Sequence, residues 1–223
     1  MNFFLDSIPK EELRKEILET VKMPDWEWLD ITDGFNLSFN PGLLTKAVIA
    51  LLTSFYKIGI RDVNLLVTCE ASGNTLIVLG ALMLSLSQNP VPNIAPQNIS
   101  ALTFRKTAED EKPMFDLFRS VSSPSHGNRI QNISTRPDFL KNKRVLMLDD
   151  VLREGNTAAA IKNMVESVNG TFLGLGVLFR KMWLEEKQLE NLGQTPIISL
   201  IDIVSPNPEL FQEAKISMDI ASK

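Results

Sequence analysis

The stretch RVLMLDDVLREGNTAAAIKNM, residues 144–164, carries the clearest structural pattern in the chain. It begins with a short apolar run, reaches two adjacent carboxylates, Asp149 and Asp150, and continues through a loop into a helical pattern over 157–168. A strand that runs through a short loop into a helix is the repeating unit of parallel α/β sheets. Ligands of such sheets bind beyond the carboxyl ends of the strands. The pattern therefore predicts a parallel sheet with the two aspartates at its binding edge.

The rest of the chain alternates in the same way. Helices are predicted at 8–22, 41–58, 75–87 and 185–193, and strands at 63–69, 99–106, 171–179 and 196–204. Asn40 is expected to cap the second helix and Gly59 to end it. The α/β class thus predicts a mostly parallel central sheet with helices on both faces.

Length and composition favour one domain. The chain has 223 residues, 44% of them hydrophobic, which is enough for a sizeable core. No internal repeat or low-complexity linker divides it. We expect a single domain over 1–223, with an N-terminal helix and loop over 1–40 and a flexible hood loop over 107–138, in which 114–121 favours one arm of a hairpin.

Charge and apolar patterning exclude several classes of protein. The net charge is −4 with no long basic block, which does not indicate nucleic acid or an anionic membrane as a partner. The apolar stretches 47–56 and 76–86 are shorter than the roughly 20 residues of a membrane helix. The first residues lack the pattern of a signal peptide, so a cytoplasmic location is expected. Cys69 is expected to be a small core residue.

The motif after the predicted strand has the chemistry of a sugar phosphate site. Two carboxylates can accept hydrogen bonds from vicinal hydroxyls or ligate a hard cation, whereas capping of a turn explains only one of them. Gly155 permits close backbone approach, and Thr157 opens a helix whose free N–H groups favour an anion. Together these residues predict a binding site for ribose 5-phosphate.

This arrangement resembles the phosphoribosyl pyrophosphate signature of the type I phosphoribosyltransferases. VTCEASGN, residues 67–74, is similar to their pyrophosphate loop, and Phe104 to Lys106 resembles the basic pair before their hood. Four segments fall in the family's order, and xanthine phosphoribosyltransferases are the branch they resemble best. These segments are 36–44, 59–73, 144–158 and 174–183.

The resemblance implies roles for individual residues. It makes Asp149 and Asp150 catalytic, as ligands of the ribose hydroxyls. It assigns donor binding to Glu70, Ala71, Ser72, Gly73, Arg105, Lys106, Arg153, Glu154, Gly155, Asn156 and Thr157. It assigns base binding to Leu29, Asn36 and Lys181, to which the chemistry of Trp183 adds an indole face for stacking, although packing in a turn explains that residue equally well.

The resemblance also implies an activity, purine salvage. Ribose 5-phosphate would pass from phosphoribosyl pyrophosphate to a 6-oxopurine, xanthine foremost, with Mg²⁺ bound through the donor and through Asp149 and Asp150. Lys181 offers donors only, which suits an oxygen at purine C6 and opposes the amino group of adenine. The expected partners are these small molecules and a second copy of the chain in a homodimer. Adenine, guanine or hypoxanthine, and orotate stay open as alternative bases.

Two features depart from the family. Glu154 places an anion in a loop meant for a phosphate, and at about 4 Å and an effective dielectric of 20 two unit charges repel by roughly 4 kcal/mol. Either Glu154 points to solvent or pairs with Arg153, or donor binding is poor, and then a nucleotide-sensing protein on the same fold becomes the alternative. The proline-rich segment 88–98 is an insertion expected at the surface.

Overall fold

Alternating apolar segments build one sheet with helices on both sides. A computed structural model describes residues 10–21, 40–70, 73–85, 99–123, 129–207 and 215–216. Its helices are α1 (Lys10–Thr20), α2 (Pro41–Lys57), α3 (Asn74–Ser85), α4 (Asn156–Ser167) and α5 (Glu185–Leu192). Its strands are β1 (Leu65–Cys69), β2 (Ser100–Ala108), β3 (Leu117–Ser123), β4 (Arg129–Thr135), β5 (Arg144–Leu152), β6 (Thr171–Lys181), β7 (Ile197–Ile203) and β8 (Lys215–Ile216).

The strands form a mixed sheet in the order β3-β4-β2-β1-β5-β6-β7-β8. The five strands from β2 to β7 in that order pair in parallel, while the pairs β3–β4, β4–β2 and β7–β8 at the two margins are antiparallel. Parallel neighbours bring their carboxyl ends, and the loops that follow them, to one edge. The predicted mostly parallel sheet is confirmed.

Strand β5 shows how the core divides between the two faces. Val145 and Met147 pack with residues of α4, whereas Leu146 and Leu148 pack on the other face with α1, α2 and α3. Alternate residues of a strand point to opposite faces, so a continuous apolar run is what a strand covered on both sides requires. The two buried layers hold β5 rigidly at the centre of the sheet.

Local signals place most element boundaries. Asn40 caps α2 through its side-chain oxygen, which accepts from the N–H groups of Gly42 and Leu43 at 3.0 and 3.2 Å, as the sequence predicts. Strand β5 runs two residues past the aspartates, to Leu152, further than the sequence indicates. Cys69 is buried, and burial raises the pKa of its thiol to about 12, consistent with a core residue.

The segment 107–138 contains more regular structure than a loop. Strands β3 and β4 pair as an antiparallel hairpin, and β4 also pairs with the end of β2. Polar residues at these positions conceal the strands from a pattern search, because one face of the hairpin is exposed. The insertion 88–98 lies outside the described residues.

None of the helices in the described part of the chain combines the length and the apolar character needed to cross a bilayer.

Candidate active site

The two aspartates are held by different partners near the end of β5. Thr68 of the neighbouring strand β1 donates a hydrogen bond from Oγ1 to Asp149 Oδ1 at 3.3 Å. Asp150 Oδ1 accepts from the N–H of Val151 at 2.6 Å. Both side chains are half-buried. One carboxylate is therefore tied to the adjacent strand and the other to its own backbone.

Asp149 has the most perturbed acidity of the site. Its pKa is raised from 3.8 to about 8, mainly by burial and secondly by the neighbouring charge of Asp150, while Lys106 and the hydroxyl of Thr68 act in the opposite direction. Desolvation disfavours the charged form of a carboxyl group, and a like charge nearby does the same. Asp149 therefore holds a proton near neutral pH until a donor or a cation approaches it.

The loop after β1 comes within contact distance of this carboxylate. A Cβ atom added to Gly73 would lie 1.9 Å from Thr68 Oγ1 and 2.9 Å from Asp149 Oδ1, so only glycine fits there. Of the residues that the sequence assigns to this loop, Glu70 and Gly73 are described, whereas Ala71 and Ser72 lie outside the described residues. The described ends of this loop, Glu70 and Gly73, and the aspartates thus lie at one corner of the sheet edge.

The predicted basic pair on β2 is joined to the same loop. Glu70 forms an ion pair with Arg105, and its Oε2 accepts from the N–H of Lys106 at 3.0 Å. Lys106 also lies near enough to Asp149 to lower the pKa of that group. The two cations therefore flank the corner, one paired with Glu70 and the other acting on the aspartate.

The 153–157 loop follows β5 and opens α4. Gly155 adopts a φ of +86°, in the left-handed region that favours glycine, and it occupies the position before the helix without a side chain to cap it. The Nε of Arg153 is buried and makes no hydrogen bond within the described residues. An unsatisfied guanidinium N–H beside a helix start is a donor set suited to an anion.

The sequence led us to expect that Glu154 points to solvent or pairs with Arg153, and the structure shows neither. Its Oε1 lies 2.9 Å from the Nζ of Lys187 on α5, and its Oε2 accepts from Asn156 Nδ2 at 3.2 Å. The hydrogen bond from Lys187 holds the pKa of Glu154 below its usual value, so the side chain is ionised. Its carboxylate faces helix α5 because Lys187, 33 residues later in the chain, provides a cation there.

Helix α5 supports the loop from behind with further side chains. Asn191 Nδ2 donates to the carbonyl oxygen of Glu154 and to Asn156 Oδ1, both at 2.8 Å. Gln188 Nε2 donates to the carbonyl oxygen of Arg153 at 2.7 Å. Sequence reasoning predicts this helix but misses its role, since only the i, i+3, i+4 spacing of these polar residues marks a second functional face.

The predicted base side is described in part. Lys181 ends β6 and is 1% exposed, and its Nζ lies 5.5 Å from the centre of the Trp183 ring. A Lys ammonium near an indole face is favourably placed, and both residues lie at the carboxyl edge of the sheet. Leu29 and Asn36 lie outside the described residues.

The described residues contain no group of three or more His, Cys, Asp or Glu side chains able to hold a metal ion. Two adjacent carboxylates suit a hard cation, yet Mg²⁺ prefers an octahedral shell that commonly includes substrate oxygens and water. Asp149 and Asp150 therefore fit Mg²⁺ that arrives with a phosphorylated ligand better than a resident ion held by protein alone.

Comparison with protein-family models gives no match. Curated relatives include the adenine phosphoribosyltransferase of Thermosipho melanesiensis, 27% identical over 194 residues that cover 87% of this chain and 98% of the relative. The xanthine phosphoribosyltransferase of Listeria innocua is 26% identical over 175 residues, which cover 78% of this chain and 82% of the relative.

Solved structures share the fold. The adenine phosphoribosyltransferase of Thermoanaerobacter pseudethanolicus superimposes with a TM-score of 0.63 and 22% sequence identity, over 84% of this chain and 98% of the other. The order of the sequence motifs, the sheet topology and these relatives agree: the chain has the type I phosphoribosyltransferase fold and is similar in sequence to adenine and xanthine phosphoribosyltransferases.

Proposed function

We propose that the protein is a purine phosphoribosyltransferase that transfers ribose 5-phosphate from phosphoribosyl pyrophosphate to a 6-oxopurine, with xanthine preferred. The observation that carries the proposal is the sequence of groups along one sheet edge. Asp149 and Asp150 offer acceptors for ribose hydroxyls, and three residues later Arg153 and the start of α4 offer donors for a phosphate. This spacing suits a sugar with a phosphate at one end.

The residues divide the work of the reaction. The bond between carbon 1 of the ribose and the pyrophosphate oxygen breaks, and its electron pair leaves with pyrophosphate. A purine ring nitrogen bonds to carbon 1 through its lone pair, and the proton on that nitrogen passes to solvent. The cationic character that develops on the ribose is stabilised by nearby carboxylates, here Asp149 and Asp150. Lys106 and the amides of the 70–73 loop would take up the charge of the leaving group. Asp149 and Asp150 would hold Mg²⁺ bound with the donor, and the ion would supply Lewis-acid stabilisation of that pyrophosphate.

The charge on Glu154 is compatible with donor binding once its partner is considered. Its pairing with Lys187 neutralises the carboxylate at 2.9 Å, and Arg153 keeps the loop cationic. The repulsion of about 4 kcal/mol expected for a bare charge pair is therefore largely cancelled. This pairing favours an enzyme over a nucleotide sensor that cannot accept the donor.

The choice of base rests on Lys181. An ammonium group donates and never accepts, so at the base site it favours a carbonyl oxygen at C6 and leaves an adenine amino group facing a donor. Adenine remains the second candidate, because relatives and solved structures named adenine phosphoribosyltransferase match this chain over most of its length.

A panel of bases tests the proposal. With Mg²⁺ and phosphoribosyl pyrophosphate, we expect pyrophosphate release with xanthine at a higher kcat/KM than with guanine, hypoxanthine, adenine or orotate. Lys181→Ala and the length-matched Lys181→Met are expected to raise KM for the 6-oxopurine about tenfold or more, with KM for the donor changed by less than about threefold. Preference for adenine, or equal effects on both KM values, contradicts the assignment.

The role of Lys187 is tested by a double-mutant cycle. Lys187→Met should weaken donor binding about tenfold or more, because it exposes the phosphate to the uncompensated charge of Glu154. In a Glu154→Gln background the same substitution should change donor binding less than about threefold. Titration calorimetry with phosphoribosyl pyrophosphate and Mg²⁺ measures all four proteins. An equal loss in both backgrounds would assign Lys187 a direct contact with the donor instead.

The raised pKa of Asp149 predicts that the free energy of unfolding of the ligand-free protein depends on pH. Its carboxyl holds a proton up to pH about 8 when folded but loses it near 3.8 when unfolded, so its contribution to stability falls as pH rises between about 4 and 8. Asp149→Asn should therefore gain at least about 1.4 kcal/mol relative to wild type between pH 5 and pH 8, the worth of one pKa unit.

Denaturant unfolding at the two pH values measures this difference. The exposed Asp110→Asn serves as the control and should follow the wild type. Parallel pH profiles for wild type and Asp149→Asn would show that Asp149 is ionised in the free protein.

A further inference from the structure

Gln188 of α5 is a polar side chain with no solvent exposure and three hydrogen bonds. Its Nε2 donates to the carbonyl oxygen of Arg153 at 2.7 Å and to that of Lys181 at 2.9 Å. Its Oε1 accepts from Arg180 Nε at 2.7 Å. A buried amide in which both donors and the acceptor are used stabilises one geometry and disfavours others, since each unmade bond would leave a buried polar group unsatisfied.

Arg180 fixes which way the amide faces. A guanidinium group only donates, so the oxygen of Gln188 must point to it and the NH₂ group must point to the two carbonyl oxygens. Arg180 is itself held by Glu185, whose Oε1 lies 3.1 Å from NH2. The orientation of the amide is therefore set by an ion pair at the start of the same helix.

The two carbonyl oxygens belong to Arg153 and Lys181, the first residues after the last residues at which strands β5 and β6 pair with each other. Strands β5 and β6 pair as far as Leu152 and Arg180. Arg153 follows Leu152 and enters the 153–157 loop, whereas Lys181 follows Arg180 and leads to Trp183. The amide of Gln188 bridges the two backbones one residue after their own hydrogen bonds end. It thereby joins the loop proposed to hold the phosphate to the strand end proposed to hold the base.

We propose that Gln188 is a positioning residue that sets the separation between the phosphate subsite and the base subsite. The inference rests on the proposed function, because it takes both subsites as ligand sites. The affinity for a ligand that spans both subsites depends on the distance between them. The affinity for a ligand that occupies one subsite does not depend on that distance. Productive alignment of donor and base depends on that separation, because small misplacements of reacting atoms reduce the rate strongly.

Asn191 provides a matched comparison on the same helix. Its contacts given above reach Glu154 and Asn156, on the loop side, and not the end of β6. Loss of Asn191 should disturb the loop without changing how the loop is joined to the base side. Glu190, exposed on α5, provides a control that leaves both connections intact.

The experiment compares ligands that span the site with a ligand that does not. Titration calorimetry measures xanthosine monophosphate, adenosine monophosphate and ribose 5-phosphate on wild type, Gln188→Glu, Gln188→Met, Asn191→Ala and Glu190→Gln. Gln188→Glu keeps an acceptor for Arg180 but faces two carbonyl oxygens without a proton, and Gln188→Met keeps the shape without charge. Thermal unfolding without ligand reports whether each variant is folded.

We expect both Gln188 variants to bind the preferred monophosphate at least about tenfold more weakly and ribose 5-phosphate less than about threefold more weakly. Asn191→Ala should weaken both ligands by similar factors, and Glu190→Gln neither. Similar losses of both ligands in the Gln188 variants, or no loss, overturn the positioning role. A wild-type protein that binds ribose 5-phosphate but neither monophosphate overturns the proposed purine transferase, and the positioning role with it.

Discussion

The arrangement at the carboxyl edge of the sheet depends on one constraint, the burial of the Asp149 carboxyl group beside a second carboxyl group, that of Asp150. Asp149 is desolvated by the core beneath it and lies beside the charge of Asp150, which is why its pKa rises to about 8. A hydroxyl from Thr68 and the cation of Lys106 offset part of the cost. Hydroxyl groups of a ligand, or a cation bound with it, would stabilise the ionised form of Asp149.

A second charge, that of Glu154, is paired with a residue distant in the sequence. Lys187 of α5 pairs with it, and Asn156 donates to it from the first turn of α4. The loop consequently turns its anion towards α5. The short, eight-residue helix α5 thus supports the loop through one ion pair and two side-chain amides, that of Gln188 buried and that of Asn191 exposed.

The sequence predicts the fold well because its apolar runs carry the pattern of strands covered on both faces. It predicts where Asp149, Asp150 and Gly155 lie in the fold, because the strand, the acid pair and the glycine loop are contiguous in the sequence. It does not predict the partner of Glu154 or the bridging by Gln188, since both depend on how α5 docks 30 or more residues later. The hairpin of β3 and β4 is only half expected, because polar residues on its exposed face hide the strand alternation.

The most direct measurement is a crystal structure of the protein with ribose 5-phosphate. We expect the phosphate at the 153–157 loop within hydrogen-bonding distance of Arg153, and the ribose hydroxyls within about 3 Å of Asp149 and Asp150. Glu154 should remain paired with Lys187. A phosphate bound elsewhere, or a Glu154 carboxylate rotated into its place, would contradict the account.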